Sequence, residues 1–260
     1  MTSEFITEER HQSFTVIRLN RPEKLNSLSG EMILALSELF KTVVADTSLR
    51  AIILTGTGDR AFCAGTDISE LADLDGDHAR EVSARGQTLC NLIENCPVPV
   101  IAAVNGIAAG GGCELALACH LRIGVANAQF SLPETKLGVI PGYGGTQRLA
   151  REIGQGRALE MMLTGKTISA EEAWRVGLVN HIAAGGELLK QAETLALEIA
   201  ALAPLAIRAC LEAVVRGAEL TLDEGLALET KLFAALFATD DVREGTSAFI
   251  EKRTPVFKGK

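Results

Sequence analysis

The stretch that most limits how this chain can fold runs from residue 105 to residue 134, with the sequence NGIAAGGGCELALACHLRIGVANAQFSLPE. An apolar run, Val100–Val104, precedes it and predicts a buried strand that ends at an Asn-Gly turn signal. Three consecutive glycines follow, namely Gly110, Gly111 and Gly112. A helix-forming composition begins directly after them, so the stretch predicts a strand, a glycine-rich loop and a helix in that order.

A loop of this kind can hold a ligand on which negative charge develops. Glycine allows the backbone to approach a ligand closely because no Cβ stands between them. The start of the helix adds unpaired N–H groups and the positive end of the helix dipole. Two carboxylates accompany the loop, since Glu114 falls in the first helical turn and Glu134 follows Pro133. From the residues alone, each also fits an ordinary acid at a helix start or on the surface, and both interpretations stay open.

The segment resembles the signature of the enoyl-CoA hydratase/isomerase (crotonase) family, and further stretches agree in the family's order from about residue 14 onwards. These are LNRP at 19–22, LNSL at 25–28, AFCAGTDI at 61–68, PGYGGTQRL at 141–149, LTG at 163–165, GLV at 177–179 and FIEKR at 249–253. The resemblance implies a crotonase-like α/β fold of repeated strand–strand–helix units with a helical C-terminal region. It also implies reversible hydration of a 2-enoyl-CoA to a 3-hydroxyacyl-CoA, with no metal or redox cofactor.

By the same resemblance, Glu114 and Glu134 occupy the places of two catalytic glutamates. Hydration needs a base that deprotonates water as it attacks C3 and an acid that protonates C2. Glu114 would activate the water and Glu134 would deliver the proton, although the two roles could be reversed. An enoyl-CoA isomerase on the same fold, which needs only a proton shuttle, is the first alternative. A non-catalytic acyl-CoA-binding or scaffold protein is the second.

The resemblance also assigns the backbone N–H groups of Thr66 and Gly111 to an oxyanion hole for the thioester oxygen. The family usually has Ala or Ser where this chain has Thr66. Because the donor would be the backbone, we expect the function to survive, while the β-branched side chain can narrow the pocket. Gly111 also fits a simple loop glycine, but three glycines in a row exceed what a turn needs.

Six further positions match substrate-binding places of the family: Ala64, Asp67, Ile68, Lys24, Phe249 and Lys252. The first of these and Ile68 would line the coenzyme A pocket. Phe249 and Lys252 would reach the adenine and phosphate end from a neighbouring subunit, and Lys24 is a further phosphate candidate. Lys252 also fits a solvated charge at a helix end rich in Lys and Arg. For Asp67, an N-cap of a short helix is the favoured interpretation, because Asp is strongly preferred at caps.

Local patterns predict the remaining elements. The first half is predicted to form a hairpin of strands 4–9 and 13–19, a helix from Ser29 to about 45, a strand 51–55, a short helix 68–74, an exposed acidic break 73–77 and a helix 78–95. The second half is predicted to form helices 143–153, 157–163 and 170–176, a strand 179–182, and helices 187–202, 205–216, 222–238 and 240–253. We expect residues 1–200 to form the core with the active site and residues 201–260 a helical oligomerisation region.

The C-terminal helices carry apolar positions that need partners: Leu226, Leu228, Leu232, Phe233, Leu236 and Phe237. The resemblance implies a homo-oligomer, either a trimer or a dimer of trimers, with these faces between subunits. Composition alone would also allow the helices to pack on their own core.

Composition excludes several other classes of protein. The net charge of −8 argues against a general nucleic-acid or anionic-membrane surface, and no apolar run has the length of a membrane span. No signal-peptide pattern is present, and the six cysteines form no C-x-x-C pair, so we expect reduced thiols in a cytoplasmic protein. Cys113, Cys119 and His120 fit no zinc spacing. Nucleotide-binding and hydrolase motifs are also missing from the sequence.

Overall fold

The computed structural model describes residues 4–72 and 74–260. The strands in chain order are β1 (Ile6–Arg10), β2 (Phe14–Leu19), β3 (Ala51–Gly56), β4 (Ala61–Cys63), β5 (Val100–Val104), β6 (Ile107–Ala109), β7 (Leu121–Val125), β8 (Gln129–Ser131), β9 (Ile168–Ser169) and β10 (His181–Ala183). The α-helices are α1 (Gly30–Val44), α2 (Gly76–Glu94), α3 (Gly111–Ala118), α4 (Gly145–Ile153), α5 (Gln155–Thr164), α6 (Ala170–Arg175), α7 (Leu188–Ala200), α8 (Pro204–Gly217), α9 (Leu222–Leu236) and α10 (Asp240–Glu251). Short 3-10 helices cover Pro22–Lys24, Ile68–Glu70 and Glu134–Leu137.

Two sheets organise the described part of the chain. The larger has the strand order β1-β2-β3-β5-β7-β10, in which β1 and β2 form an antiparallel hairpin and the other neighbours are parallel. The smaller has the order β4-β6-β8-β9, with only its last pair antiparallel. The strand pairs β3–β4, β5–β6 and β7–β8 each give their first strand to the large sheet and their second to the small one, whereas β1 and β2 both belong to the large sheet. This arrangement confirms the predicted α/β fold class.

The central strands of the large sheet are buried on both faces. Along β3, Ile52 and Leu54 point into a core shared with α1, α2 and α3. The alternate residues Ala51 and Ile53 point to the opposite face, where Ala192 of α7 packs. Because side chains alternate along a strand, a continuous apolar run is what a doubly covered strand requires.

The predicted 78–95 helix begins earlier than expected, so the predicted break is confirmed at residues 74–75 and is wrong at residues 76–77. The carboxylate of Asp75 accepts the backbone N–H groups of Asp77 and His78, so α2 starts at Gly76. Asp77 then lies in the first helical turn, where negative charge complements the helix dipole. Asp73, which the prediction also included, lies outside the described residues.

Two further predictions differ from the structure in extent. The short helix predicted for 68–74 is a single 3-10 turn, Ile68–Glu70, because the Asp75 cap starts a new helix soon after it. The strand predicted for 179–182 is β10, His181–Ala183. Val179 is excluded from the sheet because its N–H donates to the carbonyl of Ala173, next to the end of α6. The remaining predicted helices agree with the structure within a few residues at either end.

Sequence patterns missed β4, β6, β7, β8 and β9. All but β7 belong to the small sheet and are at most three residues long, so none is long enough to show alternation.

The C-terminal helices leave apolar side chains exposed on this single chain. Within the described residues, α9 buries no side chain, and Phe233 and Phe237 are 62% and 58% exposed. The division into a core of 1–200 and an oligomerisation region of 201–260 stays a prediction. Residues 1–3 of that core lie outside the described part.

No single helix in the described part of the chain has the length and apolarity to cross a membrane. The pair α7 and α8 meets that criterion only when counted together, and it is bent by 107°.

Candidate active site

Two loops of the small sheet meet where β4 and β6 end. The strands are parallel neighbours, so their carboxyl ends lie on the same edge, where ligands bind in open α/β sheets. Gly110 follows β6 with φ of +50°, a left-handed value that favours glycine. Gly65 follows β4, and a Cβ placed on it would lie 3.7 Å from the backbone nitrogen of Gly111. The loops predicted to hold the ligand are therefore in contact.

The backbone N–H groups of Thr66 and Gly111 donate no hydrogen bond within residues 4–72 and 74–260. Leu28 fixes the first loop on both sides of Thr66, because it donates to the Gly65 carbonyl at 2.7 Å and accepts from Asp67 N–H at 2.8 Å. Gly111 is the first residue of α3, where N–H groups have no partner inside the helix. Two fixed, unpaired donors in contacting loops can stabilise an oxyanion.

Glu114 lies in the first turn of α3 and is 2% exposed. Its Oε1 accepts the backbone N–H groups of Tyr143 at 2.8 Å and Gly145 at 2.7 Å. Burial raises the pKa of Glu114 to about 7, the Gly145 and Tyr143 hydrogen bonds oppose this rise, and the charge of Glu134 adds to it. The side chain can therefore take either protonation state near neutral pH, as a general acid or base must.

Glu134 begins the 3-10 helix Glu134–Leu137 and faces the glycine loop. A Cβ on Gly110 would lie 2.9 Å from its Oε1, and its Oε2 is buried without a hydrogen-bond partner among the described residues. Burial raises the pKa of Glu134 as well. Two carboxylates that share a sheltered site favour one proton between them. The structure thus brings together all four residues predicted for the chemistry.

Sequence analysis missed the arginines that hold this site in place. Arg148 of α4 forms a bidentate ion pair with Glu94 of α2, at 3.0 and 2.6 Å, and donates to the Tyr143 carbonyl at 3.1 Å. Arg122 is buried at the C-terminal end of α3, where it donates to the carbonyl of Cys119 at 2.6 Å and pairs with Glu152. Both sequence positions look like ordinary surface charges, and only the fold shows that they are enclosed.

Tyr143 lies in the family-like stretch PGYGGTQRL, and its residue type did not predict a place in the site. It is 4% exposed, and its ring lies between α2 and the glycine loop. A Cβ on Gly86 would lie 2.0 Å from the ring, and a Cβ on Gly111 would lie 3.0 Å from it. A bulky aromatic residue surrounded by glycines was the one available signal in PGYGGTQRL.

Asp67 caps the 3-10 helix Ile68–Glu70, which confirms the favoured interpretation. Its carboxylate accepts from the Ser69 hydroxyl at 2.7 Å and pairs with Arg21 at 3.0 Å. The hydrogen bonds from Ser69 and Arg21 lower the pKa of Asp67, so it is held ionised. A carboxylate committed in this way is a structural group.

The loop that carries Lys24 is hydrogen-bonded to the loop that carries Thr66. The Leu25 carbonyl accepts the N–H of Ala64 at 3.0 Å, which places Lys24, Ala64 and Ile68 on neighbouring segments. Lys24 is exposed and Ile68 is 55% exposed, so both side chains are open to an approaching ligand. Their part in binding stays a prediction.

Phe249 and Lys252 lie at the end of α10 and are not joined to the two loops by any hydrogen bond in the described part of the chain. Phe249 is 86% exposed, and Lys252 is the C-cap of the helix with φ of +55°. The single chain therefore does not bring these two residues to the site, and their role would need a neighbouring subunit.

The cysteine and histidine positions offer no metal centre among the described residues. Both ring nitrogens of His120 have partners within the fold. Nδ1 accepts the Val100 N–H at 2.9 Å, and Nε2 lies 3.1 Å from the Glu94 carbonyl oxygen. Burial raises the pKa of the Cys119 thiol to about 12. Cys119 is therefore a buried core thiol, and His120 is a half-buried residue whose ring nitrogens are both used by the fold.

Comparison with known proteins agrees with this geometry. Residues 9–260 match the model of the family described as enoyl-CoA hydratase/isomerase. The chain is 41% identical to a crotonyl-CoA hydratase of Syntrophomonas wolfei over the whole length of both proteins. It is 40% identical to a short-chain-enoyl-CoA hydratase of Clostridium acetobutylicum, over 94% of each chain.

Solved structures show the same similarity. The chain superposes on an enoyl-CoA hydratase from Bacillus anthracis with a TM-score of 0.95 and 41% identity, over 98% of this chain and 100% of that one. An enoyl-CoA hydratase subunit from Geobacillus kaustophilus gives a TM-score of 0.94 and 42% identity, over 99% and 100%.

Proposed function

The chain belongs to the enoyl-CoA hydratase/isomerase family, and from that premise we propose that it catalyses the reversible addition of water to the C2=C3 double bond of a 2-enoyl-CoA. The product is a 3-hydroxyacyl-CoA, and the enzyme is a hydro-lyase. The observation that carries the proposal is the pair Glu114 and Glu134, both with raised pKa, beside two unpaired backbone N–H groups.

The thioester oxygen binds between the N–H groups of Thr66 and Gly111. As water adds at C3, negative charge moves onto that oxygen and gives an enolate-like state. Donors that are already in position stabilise this state more than the ground state, and each contributes about 10²–10³ in rate. The free N–H groups of the two contacting loops support this assignment.

Glu114 in its ionised form takes a proton from the attacking water, and protonated Glu134 delivers a proton to C2. Burial raises the pKa of both carboxyl groups. The backbone N–H groups of Tyr143 and Gly145 oppose this rise at Glu114, as the backbone N–H of Glu134 does at Glu134. Both groups can therefore exchange protons, and the assignment of Glu114 as the base follows the family resemblance. Reversal of the reaction exchanges the roles, so the same pair serves dehydration.

Coenzyme A enters only as part of the substrate, and the reaction as proposed uses no metal or redox cofactor. Ala64 and Ile68 line its pocket, and Lys24 is placed to meet a phosphate. Phe249 and Lys252 reach the adenine and phosphate end from a neighbouring subunit of a trimer or dimer of trimers. The exposed apolar face of α9 supports such an assembly. We also propose that the enzyme works in the cytoplasm, on the basis of its unpaired cysteines.

The decisive experiment follows the ultraviolet absorbance of crotonyl-CoA after the protein is added. Hydration removes the conjugated double bond, so the absorbance falls until equilibrium is reached. A parallel reaction with a 3-enoyl-CoA separates the alternatives, since an isomerase would create the conjugated bond and raise the absorbance. Unchanged absorbance in both reactions, with acyl-CoA still bound in calorimetry, would replace the proposal by a non-catalytic acyl-CoA-binding protein.

A further inference from the structure

We propose that the side chain of Tyr143 closes the acyl end of the site, so that the preferred substrates are short, crotonyl-sized 2-enoyl thioesters. The inference rests on the proposed hydration of enoyl-CoA and names the substrate class for it. It also gives Tyr143 a role that specifies the substrate and takes no part in the proton transfers.

The position of the ring follows from the two glycines that it touches. A Cβ on Gly111 would lie 3.0 Å from Cε2 of the ring, which places the ring beside the second oxyanion donor. The Thr66 hydroxyl would lie 3.0 Å from the same Cβ. The side chains of Thr66 and Tyr143 therefore cover the same face of Gly111, and both narrow the space next to the thioester.

The ring also borders the path that the acyl chain must take. C3 has to lie near Glu114, because that carboxylate activates the water that attacks it. Glu114 is bonded to the backbone N–H of Tyr143 at 2.8 Å, so the carbons beyond C3 start next to this residue. A crotonyl group ends one methyl beyond C3, whereas a longer chain must displace the ring or turn away from it.

The ring has no room to retreat towards α2. A Cβ on Gly86 would lie 2.0–2.3 Å from three of its carbons, so the ring already rests on the helix backbone. The backbone is fixed as well, because the Ser83 hydroxyl donates to the Gly142 carbonyl at 2.6 Å and Arg148 donates to the Tyr143 carbonyl at 3.1 Å. Because the ring and its backbone are both fixed, Tyr143 limits the length of the acyl group that the site accepts.

The hydroxyl of Tyr143 is buried beside the Thr66 side chain. Burial raises the pKa of Tyr143 to about 12 and interaction with the Thr66 hydroxyl opposes this rise, so the phenol stays protonated. Tyr143 and Thr66 therefore present an uncharged surface next to Gly111, which suits a short alkyl group.

The test compares crotonyl-CoA with 2-decenoyl-CoA by kcat/KM in the wild type, Tyr143→Ala and the size-matched Tyr143→Phe. We expect the wild type to prefer crotonyl-CoA, Tyr143→Ala to shift the ratio towards decenoyl-CoA by at least about 10-fold, and Tyr143→Phe to keep most of the preference. Tyr143→Leu, which retains apolar contacts, replaces Tyr143→Ala if the latter does not fold. A ratio within about 2-fold of wild type in the truncated variant would overturn the inference.

Calorimetry with butyryl-CoA and decanoyl-CoA separates this inference from the proposed function, because these saturated thioesters cannot be hydrated. Tyr143→Ala should tighten decanoyl-CoA binding relative to butyryl-CoA by at least about 10-fold. If binding shifts in this way while crotonyl-CoA is not hydrated, the size limit stands and the proposed function fails. If hydration proceeds while neither ratio shifts, the proposed function stands and the size limit fails.

Discussion

The backbone N–H of Gly145 donates to Oε1 of Glu114 at 2.7 Å, and this bond sets the direction in which the buried carboxylate points. Gly145 is the first residue of α4, so the positive end of a helix dipole faces the carboxylate. The backbone N–H of Tyr143 donates to the same oxygen, whereas Oε2 of Glu114 has no hydrogen-bond partner among the described residues. One oxygen is therefore used for positioning, while the other is left for water or substrate.

We expect Gly145→Ala to lower kcat by about 10-fold to 10²-fold while KM changes little, because small misplacements of catalytic groups are costly. The new Cβ would lie 2.9 Å from Glu114 Oε1 and 3.1 Å from Leu132 Cδ1, so the carboxylate must move. Gly156→Ala in α5 is the matched control, since nothing lies within 4 Å of its Cβ. Steady-state kinetics on crotonyl-CoA decide the matter, and equal rates for both variants would contradict the positioning role.

The raised pKa of Glu114 makes the stability of the protein depend on pH. The native carboxyl has a pKa of about 7 against an ordinary value of 4.5, so the native state binds more protons than the unfolded state between these values. Stability must then fall as pH rises through this window. Glu114→Gln removes this pH dependence. The free energy of unfolding of the variant should therefore rise by about 2 kcal/mol relative to that of the wild type between pH 5 and pH 8. Urea unfolding at both pH values measures this, with the exposed Glu23→Gln as control.

A gap between wild type and Glu114→Gln that stays constant across this range would mean that the carboxyl titrates normally in the folded protein. The environment described for Glu114 would then be wrong.

Much of the fold could be predicted because its main elements carry strong local signals. Ser29 accepts the N–H of Met32 at 3.2 Å and caps α1 as its residue type suggested. Val100–Val104 is buried throughout, as its apolar run indicated. The small sheet could not be predicted in the same way. Its strands are at most three residues long and are stabilised by their neighbours, which local sequence does not show.

The candidate site could likewise be predicted only in part. Glu114, Glu134, Thr66 and Gly111 came from a family resemblance, and the fold places them together without reference to it. The contacts that tune them come from distant segments. Arg148 lies far from Glu94 in sequence, and only the packing of α4 on α2 makes them a bidentate pair.

We expect Gly111→Pro to abolish turnover, because proline removes the N–H that would hold the oxyanion. Proline is well tolerated at the first position of a helix, which is where Gly111 lies, so α3 should still form. Gly111→Ala is the steric control, because its Cβ would lie at the same 3.0 Å from Thr66 Oγ1 and the Tyr143 ring while the N–H remains. Thr66→Ala keeps the backbone donor and should cost less than about 10-fold in kcat. Circular dichroism checks folding, and kcat on crotonyl-CoA gives the answer. A Thr66→Ala enzyme as inactive as Gly111→Pro would show that the hydroxyl, and not the backbone, carries the role.

Assembly can be tested on α9, where Phe233 and Phe237 pack edge to face with their ring centroids 5.1 Å apart. Both rings are more than half exposed on the single chain, which is unusual unless another surface covers them. We expect light scattering to give the mass of a trimer or hexamer for the wild type, and a smaller species for the Phe233→Ser/Phe237→Ser double variant. Leu163→Ser, at an exposed position on α5, controls for loss of surface apolarity. A monomeric wild type at micromolar concentration would rule out the assembly.

The choice between hydratase and isomerase depends on whether both carboxylates are needed. An isomerase moves one proton between carbons, so one carboxylate suffices in principle. A hydratase must also position and deprotonate a water molecule, which requires a second group on the same side of the substrate. The structure places Glu134 beside Gly110 and Glu114 next to Gly111 in the same loop–helix unit, so both can reach one substrate.

We therefore expect Glu114→Gln and Glu134→Gln each to lower kcat for crotonyl-CoA hydration by at least about 10²-fold, since general acid–base catalysis contributes about 10²–10⁴. Glutamine keeps the size of the side chain and the acceptor for Gly145 but removes proton exchange. The double variant should lose far less than the product of the single losses, because groups that act on one transition state are not additive. The measurement is kcat for the three variants, with circular dichroism to confirm folding. Near-normal hydration by Glu114→Gln beside an inactive Glu134→Gln would indicate a single acid–base residue, and the isomerase would then become the better assignment.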